Sequence, residues 1–323
     1  MTKEPPPRAP LVSVVVAARD YGKYLPAAIR SLTAQSFQNW DCVIVDDGSV
    51  DDTETVAADL VVHDPRVRYV RQPARGVSTA RNTGLRVSRG PLVQFLDADD
   101  RLAEGKLDSQ VRKLTDDPSI DVIYGSERPI RQDDTPEGLP LLLGPRPSGA
   151  GDEVIAAILA GNPMVMSAPL FRRSALDRVG GFDETVALNE DWDLVLRLAL
   201  SGARFHFDPS DSSLSFVRMH TGSASSNRLR MMDAAIELQL RVGRGLINPA
   251  HRRISEEVIA DLAGAAGILR VRGGDVRRGL RDILHAAKRR PRAKWFAALV
   301  IEPLRLLATT ALCRLRAHRP GAT

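Results

Sequence analysis

The segment "PLVQFLDADD", residues 91–100, is the part of the sequence that decides the fold. Its apolar run has the length of a buried strand and ends in three acids, Asp97, Asp99 and Asp100. A turn or a helix cap explains one or two such residues, because aspartates favour strand-end turns. Three carboxylates that repel one another at a single strand end indicate instead a bound cation.

Strand and helix patterns alternate upstream of this run, where apolar β-branched segments are separated by segments with apolar residues at helical spacing. The predicted strands are "LVSVVVAA" (11–18), "WDCVIVDDGS" (40–49) and "RVRYVRQ" (66–72), and the predicted helices are "YLPAAIRSLTAQ" (24–35), "VDDTETVAADLV" (50–61) and "GVSTARNTGLRVS" (76–88). Near-continuous apolar strands need cover on both faces. The pattern therefore predicts an α/β fold with a parallel sheet flanked by helices.

In such a fold the acids that follow the strands are expected to lie close together. Asp20 follows the first strand, and Asp46 and Asp47 end the second. Ligands of open α/β sheets bind at the carboxyl ends of the strands, so these acids and those of residues 97–100 are expected along one edge. Carboxylate oxygens suit Mg²⁺ or Mn²⁺, which usually bridge to substrate phosphates. A metal-bound diphosphate is the ligand that this edge predicts.

The sequence lacks the motifs of two classes of nucleotide-binding protein. The first strand runs into "AARDYGKYL" without G-x-G-x-x-G, and no G-x-x-x-x-G-K-[ST] occurs in the chain. Both absences argue against a nicotinamide dehydrogenase and a P-loop nucleotidase.

Three motifs in order carry a resemblance to a known family. They are DDGS-x-D-x-T at 46–53, R-G-x-S-x-A-R-N-x-G at 75–84 and D-x-D at 97–99. The chain resembles the inverting family 2 glycosyltransferases of the GT-A fold, a Rossmann-like mixed sheet flanked by helices, up to about residue 226. The resemblance implies a GT-A domain over 11–226, with a nucleotide-sugar half (11–100) and an acceptor half (101–226). Residues 1–10 are then a disordered lead-in, and residues 227–323 a basic helical C-terminal region.

The resemblance implies donor-binding roles for residues after the first two strands. Asp47 is expected against the base and ribose of a nucleoside diphosphate sugar, with main chain around Ala17 and Arg19 closing over the base. Asp20 stands where the family usually has Asn or a similar polar residue. Asp46 is assigned to the same nucleotide site, although in the family it is often structural.

The resemblance also implies a metal and diphosphate site. Asp99 is expected to contact Mn²⁺ or Mg²⁺ directly, and Asp97 to contact the ribose or a metal-bound water. Arg81 is expected near the diphosphate; an ordinary ion pair on the helix surface is the alternative. His220 matches the R-x-H-x-x-S-x-S pattern near the metal, or it is simply exposed. Asp100 is interpreted as a cap of the next helix.

The segment "LNEDWDLVLRLALSG", residues 188–202, predicts a buried helix with acids in its first turn. Acids at this position also complement a helix dipole. Matched to the family's E-D motif, Asp191 is the expected general base, with Glu190 as second choice. Direct displacement by such a base inverts the anomeric configuration.

The predicted function is metal-dependent, inverting transfer of a hexosyl-type sugar to a glycan or lipid-linked acceptor, in surface polysaccharide or glycolipid synthesis. Absence of the Q-x-x-R-W segment favours addition of single sugars. Two alternatives remain open. One is a non-catalytic scaffold that binds a sugar nucleotide. The other is a sugar nucleotidyltransferase, although such an enzyme should carry a glycine-rich, basic loop after the first strand, which this chain lacks.

Charge and composition limit the kinds of partner that the chain is expected to bind. Residues 251–323 hold 16 Lys and Arg against 6 Asp and Glu, a net +10 in a chain of net +5. The tail has few aromatics and no nucleic-acid module, so no nucleic-acid partner is predicted. Its amphipathic helices predict either a peripheral contact with the inner face of the cell membrane or a helical subdomain packed on the catalytic domain. Two distant cysteines fit a reducing, cytoplasmic setting.

The segment 126–153 is rich in proline and glycine and shows no clear period. Long loops of this kind are usually lids or binding loops. The sequence predicts either a cover for the acceptor site or an unstructured insertion.

Overall fold

The structure is a computed structural model that describes residues 9–137, 144–220 and 227–317, with side chains described as far as Arg305. The chain divides into two compact units, Met1–Ser223 and Ala224–Thr323. Most of the predicted lead-in, residues 1–8, lies outside the described residues.

The first unit contains the ten described strands and seven of the described α-helices. The strands are β1 (Val12–Ala18), β2 (Trp40–Asp46), β3 (Val67–Arg71), β4 (Leu92–Asp97), β5 (Arg101–Leu102), β6 (Val122–Tyr124), β7 (Glu127–Ile130), β8 (Pro169–Arg172), β9 (Phe205–Phe207) and β10 (Ser215–Arg218). The helices are α1 (Leu25–Thr33), α2 (Thr53–His63), α3 (Val77–Val87), α4 (Lys106–Asp116), α5 (Asp152–Ala160), α6 (Arg173–Val179) and α7 (Glu190–Leu200).

Within the described residues, a seven-stranded sheet has the order β3-β2-β1-β4-β8-β6-β9. The pairs β1–β2, β1–β4 and β2–β3 are parallel, which confirms the predicted β-α alternation. β8 runs antiparallel to both β4 and β6, so the sheet is mixed. The reversal at β8 brings later segments of the chain beside β4.

Alternate residues of β1 pack on opposite faces of the sheet, as the pleat requires. Val14 and Val16 join the larger core with α1. On the other face α3 lies so close to β1 that a Cβ at Gly84 would stand 2.2 Å from Cγ1 of Val15. Glycine at this position therefore allows α3 to approach the sheet.

The segment 126–153 is more ordered than the sequence predicts. β7 lies inside it and pairs in parallel with β10, and α5 begins at Asp152. The connection between β7 and α5 is therefore shorter than the loop predicted over 126–153. Its residues 138–143 lie outside the described residues. The sequence did not reveal β7 because its four residues are too few to show an alternation of apolar and polar side chains.

The second unit is helical, as predicted, with α8 (Arg228–Gly243), α9 (Pro249–Arg272), α10 (Val276–Arg289) and α11 (Ala293–Ala317). The side chains of Asn227, Asn248 and Asp275 cap the first three of these helices. α9, α10 and α11 share a small apolar core. In the described chain no helix is both long enough and apolar enough to span a bilayer.

Candidate active site

The carboxyl ends of β1, β2 and β4 meet at one edge of the sheet, as the sequence predicts. In the strand register Ala17 lies between Val45 and Asp97, and Ala18 pairs with Asp46. Because the strands are parallel and neighbouring, the acids that follow them are brought to the same edge. Their surroundings, however, differ widely.

Asp46 is fully buried, and both of its oxygens are engaged within the protein. Oδ1 accepts a hydrogen bond from the Ser49 amide at 2.7 Å, and Oδ2 accepts one from the Tyr69 hydroxyl at 2.7 Å. These contacts shape the β2–α2 loop. They support the structural interpretation of Asp46 over a direct contact with donor.

Asp47 is also buried and organises a second loop. Its Oδ1 accepts from Gln72 Nε2 at 2.8 Å and from the Arg75 amide at 2.9 Å, and its Oδ2 accepts from the Gly76 amide at 2.7 Å. Asp47 therefore holds the segment that leads into α3. Its contact with a base or ribose stays a prediction.

The loop after β1 is tied to the loop after β2. The Asp20 amide donates to Ser49 Oγ at 3.0 Å, and Asp20 Oδ1 accepts from the Val50 amide at 2.8 Å. Asp20 has a φ of 58°, a left-handed conformation that Asp and Asn tolerate better than most residues. Beside these contacts between the two loops, Arg19 is exposed and Ala17 is half-buried. Both remain available to a ligand at the edge.

The three acids that end β4 have separate partners. Asp97 accepts from Arg81 Nη2 at 2.6 Å, and Asp99 Oδ2 lies 2.9 Å from His220 Nε2. Asp100 is buried and accepts from Ser167 Oγ at 2.7 Å and from the Arg218 amide at 3.0 Å. The prediction that Asp100 caps the next helix is wrong, since its carboxylate joins β4 to β10 and to the turn before β8.

Burial and the negative charge of Asp97 raise the pKa of Asp99, against the hydrogen bond to His220. The two carboxylates therefore repel each other in a partly desolvated place. Such a pair favours a cation between it and the ligand.

Arg81 joins the end of β4 to the start of α7. Its Nη2 binds Asp97, and its Nη1 donates to Glu190 Oε1 at 2.8 Å. The ion pair that the sequence left open as an alternative is present, but the side chain is only 5% exposed, so the pair is buried and not on the helix surface. A contact of Arg81 with the diphosphate stays a prediction. Against the opposing effect of burial, the charges of Asp97 and Glu190 raise the pKa of Arg81. One guanidinium thus fixes the spacing between two acidic clusters.

Asp191 is half-buried in the first turn of α7. Its Oδ1 accepts from the Trp192 amide at 2.7 Å, and its Oδ2 accepts from Asn162 Nδ2 at 2.9 Å. Burial, followed by the charge of Glu190, raises the pKa of Asp191 to about 7. A carboxyl group with that pKa can exchange a proton near neutral pH.

His220 lies beside aromatic residues of the first loop. Its ring centroid is 6.1 Å from that of Tyr21 and 5.4 Å from that of Tyr24. The histidine side chain is nearly buried, so the alternative of an exposed loop residue is wrong. The contact brings β10, α1 and β4 together. The rest of its segment, residues 221–226, lies outside the described residues.

Two residues of the site were not predicted from the sequence. Arg218 donates from Nε to the Asp99 carbonyl at 2.9 Å and from Nη1 to the Arg131 carbonyl at 2.7 Å, and it pairs with Asp134. Its place two residues before His220 in the R-x-H pattern was a usable signal. Asn162 carries no comparable signal, because only the packing of α5 on α7 brings it to Asp191.

The donor set at the end of β4 suits a hard divalent cation. Among the described residues, no group of three His, Cys, Asp or Glu side chains is arranged to hold a metal ion by itself. Asp97 and Asp99 offer carboxylate oxygens, and ions such as Mg²⁺ commonly take one or two of these and complete their shell from substrate phosphates. The residues present therefore fit a cation shared with a diphosphate ligand.

Comparison with known proteins finds relatives over the same region. The family model described as glycosyl transferase family 2 matches residues 13–178. A chondroitin synthase of Escherichia coli is 28% identical over 202 residues, which are 62% of this chain and 28% of that protein. An uncharacterized protein of Mycobacterium tuberculosis is 31% identical over 242 residues, 69% of this chain and 71% of the relative. The chain thus spans a minor part of the synthase.

Solved structures share the fold at low sequence identity. S. aureus TarS 1-349, in complex with UDP-GlcNAc, aligns with a TM-score of 0.64 and 17% identity, covering 93% of this chain and 87% of that one. The mannosyltransferase PcManGT from Pyrobaculum calidifontis, in complex with GDP-Man and Mn²⁺, aligns with a TM-score of 0.59 and 19% identity, covering 98% and 92%. These structural alignments show a common fold.

Proposed function

Because the chain belongs to glycosyl transferase family 2 and has the GT-A fold, we propose that it transfers a sugar from a nucleoside diphosphate sugar to a hydroxyl acceptor, with inversion and with a divalent cation. The observation that carries the proposal is the bridge made by Arg81. This side chain binds Asp97 at 2.6 Å and Glu190 at 2.8 Å. It connects the acids suited to a donor diphosphate with the acids suited to an acceptor.

The donor side of the reaction rests on the edge formed by β1, β2 and β4. Loops held by Asp20 and Asp47 enclose the nucleoside part, and the Asp97–Asp99 pair faces the diphosphate. When bound, a divalent cation supplies Lewis-acid stabilisation of the nucleoside diphosphate that leaves. Arg81, already paired with two carboxylates, positions Asp97 and does not need to bind the diphosphate itself.

Two observations on the acceptor side favour one of the two candidate bases. Glu190 is engaged by the guanidinium of Arg81, which stabilises its negative charge. Asp191 accepts hydrogen bonds from neutral groups, and its pKa of about 7 matches a general base at neutral pH. We assign the base to Asp191. Its carboxylate takes the proton of the acceptor hydroxyl while the hydroxyl oxygen attacks the anomeric carbon and the C–O bond to the diphosphate breaks.

Relatives support a glycan product. They include the chondroitin synthase and a hyaluronan synthase of Pasteurella multocida, which is 25% identical over 202 residues and of which this chain covers 20%. We therefore propose a polysaccharide or a lipid-linked glycan as acceptor. The donors named for the two solved structures, UDP-GlcNAc and GDP-Man, differ in both base and sugar, so a panel is needed.

Calorimetry with the full chain tests the donor site. UDP-, GDP- and dTDP-sugars are titrated with Mn²⁺, Mg²⁺ or EDTA. We expect one donor to bind in the presence of metal and to bind at least tenfold more weakly to the Asp99→Ala variant. Asp59→Ala, an exposed acid of α2, is the control and should bind like the unmodified protein. Absence of metal-dependent binding for every donor would contradict the proposal.

A further inference from the structure

The described part of α11 exposes large apolar side chains along one face. Phe296, Val300 and Leu304 are 54%, 61% and 59% exposed. Positions four apart lie one above the other on a helix, so the three residues form a continuous strip, called here the apolar stripe. Ile301, 44% exposed, widens it. Contiguous apolar surface of this kind marks a binding surface more often than scattered exposed residues do.

The other face of α11 is well packed. Trp295 and Ala298 are buried in a core shared with Val271 of α9 and Ile283 of α10. The helix is therefore fixed in place through one side. Its apolar stripe faces outward because the opposite side is already used.

α10 carries a complementary feature, called here the basic stripe. Arg277, Arg281 and Lys288, with Leu284 between them, follow one face of this helix at spacings of three and four residues, and all are exposed. In the part of the chain that the structure describes, no acid lies within ion-pair distance of these three cations. Ile283 anchors the opposite face of α10 in the same small core. The cations are thus available to an external anion.

We propose that the apolar stripe of α11 and the basic stripe of α10 bind the surface of an anionic lipid bilayer. Apolar side chains of an amphipathic helix enter the boundary between headgroups and acyl chains, while basic side chains meet the lipid phosphates. The net +10 of residues 251–323 complements such a surface. A second copy of this chain would instead bring like charges together. A nucleic acid would leave the apolar stripe without a partner.

Vesicle sedimentation with the full chain tests the proposal without any sugar donor, so its result is independent of the proposed function. The probes are vesicles of phosphatidylcholine alone and of phosphatidylcholine mixed with phosphatidylglycerol. We expect binding to the mixed vesicles, little binding to the neutral ones, and release at high salt because surface charges are screened. Equal sedimentation with both vesicle types, or with neither, would overturn the proposal.

Two pairs of substitutions separate the stripes. Phe296→Glu with Val300→Glu should abolish sedimentation, and Arg277→Gln with Arg281→Gln should weaken it about 25-fold, at about fivefold per cation. Ile247→Glu, an 87% exposed apolar residue of the same unit outside both stripes, is the matched control and should bind normally. Loss of binding in the control as well, or vesicle binding left intact in the Glu pair, would overturn the proposal.

Discussion

At the end of β2, Asp46 and Asp47 are buried, and amide, hydroxyl and side-chain donors of the protein bond to their oxygens. At the end of β4, Asp97 and Asp99 instead face a guanidinium, an imidazole and each other. We call the buried first pair the locked acids, and the partly exposed Asp97, Asp99 and Asp191 the open acids. The same residue type at equivalent strand ends thus builds loops in one place and leaves partly exposed carboxylates in another.

The largest effect is expected from removing the open acid of α7. Asp191→Asn keeps the shape and the hydrogen bond from the Trp192 amide but cannot accept a proton. We expect kcat to fall about 10³-fold, the range of a lost general base, with donor affinity unchanged. Steady-state kinetics and donor calorimetry measure both.

The same variant has a stability signature. The pKa of Asp191 in the folded protein, about 7, lies above the roughly 3.9 of an unfolded chain. The folded state then holds its proton more tightly, so the stability conferred by Asp191 is lost as pH rises through that interval. Asp191→Asn should remove this loss and be at least as stable above pH 7. Full turnover by Asp191→Asn would identify a different base.

Locked and open acids should respond oppositely to alanine. Asp46→Ala leaves the Ser49 amide and the Tyr69 hydroxyl without their buried acceptor, and should lower the free energy of unfolding by about 2–4 kcal/mol. Asp99→Ala relieves repulsion with Asp97 and should leave stability unchanged or raised. Urea unfolding of the two variants checks the contrast. Equal destabilisation would mean that Asp99 is locked as well.

The pH profile is a further test of the open acids. Only ionised Asp191 can act as base, so kcat/KM should fall tenfold per pH unit below about pH 7 and be level above it. Assays of the unmodified protein from acid to neutral pH give this limb. Asp191→Asn should lack it, and a profile flat down to pH 5 would exclude Asp191 as the base.

The smallest effect is expected at Asn162, which donates to the ionised form of Asp191. In Asn162→Ala the carboxylate loses this donor, so its pKa should rise and the acid limb should move to higher pH. Activity at pH 6 should drop severalfold while activity above pH 8 changes little. A uniform drop at all pH values would indicate misplacement of α7 instead of a changed pKa.

Much of the donor half followed from local patterns. The alternation of β1 to β4 with α1 to α3 appeared in the hydrophobic periodicity, and the edge where Asp20, Asp46 and Asp97 meet follows from parallel strands. Errors arose where a local explanation competed with a distant partner. Asp100 was interpreted as a helix cap, but it binds Ser167 and the amide of Arg218.

By itself the sequence determined the order of strands and helices, the common edge of the strand-end acids and the basic helical tail, because these depend on periodicity, charge and near neighbours in the chain. Tertiary structure alone decided which acids are locked and which are open. Arg81 and Glu190, 109 positions apart, meet only when folding brings the first residue of α7 to α3, and Asn162 reaches Asp191 only across α5 and α7. Burial and the approach of distant charges control protonation, and both are properties of the folded chain.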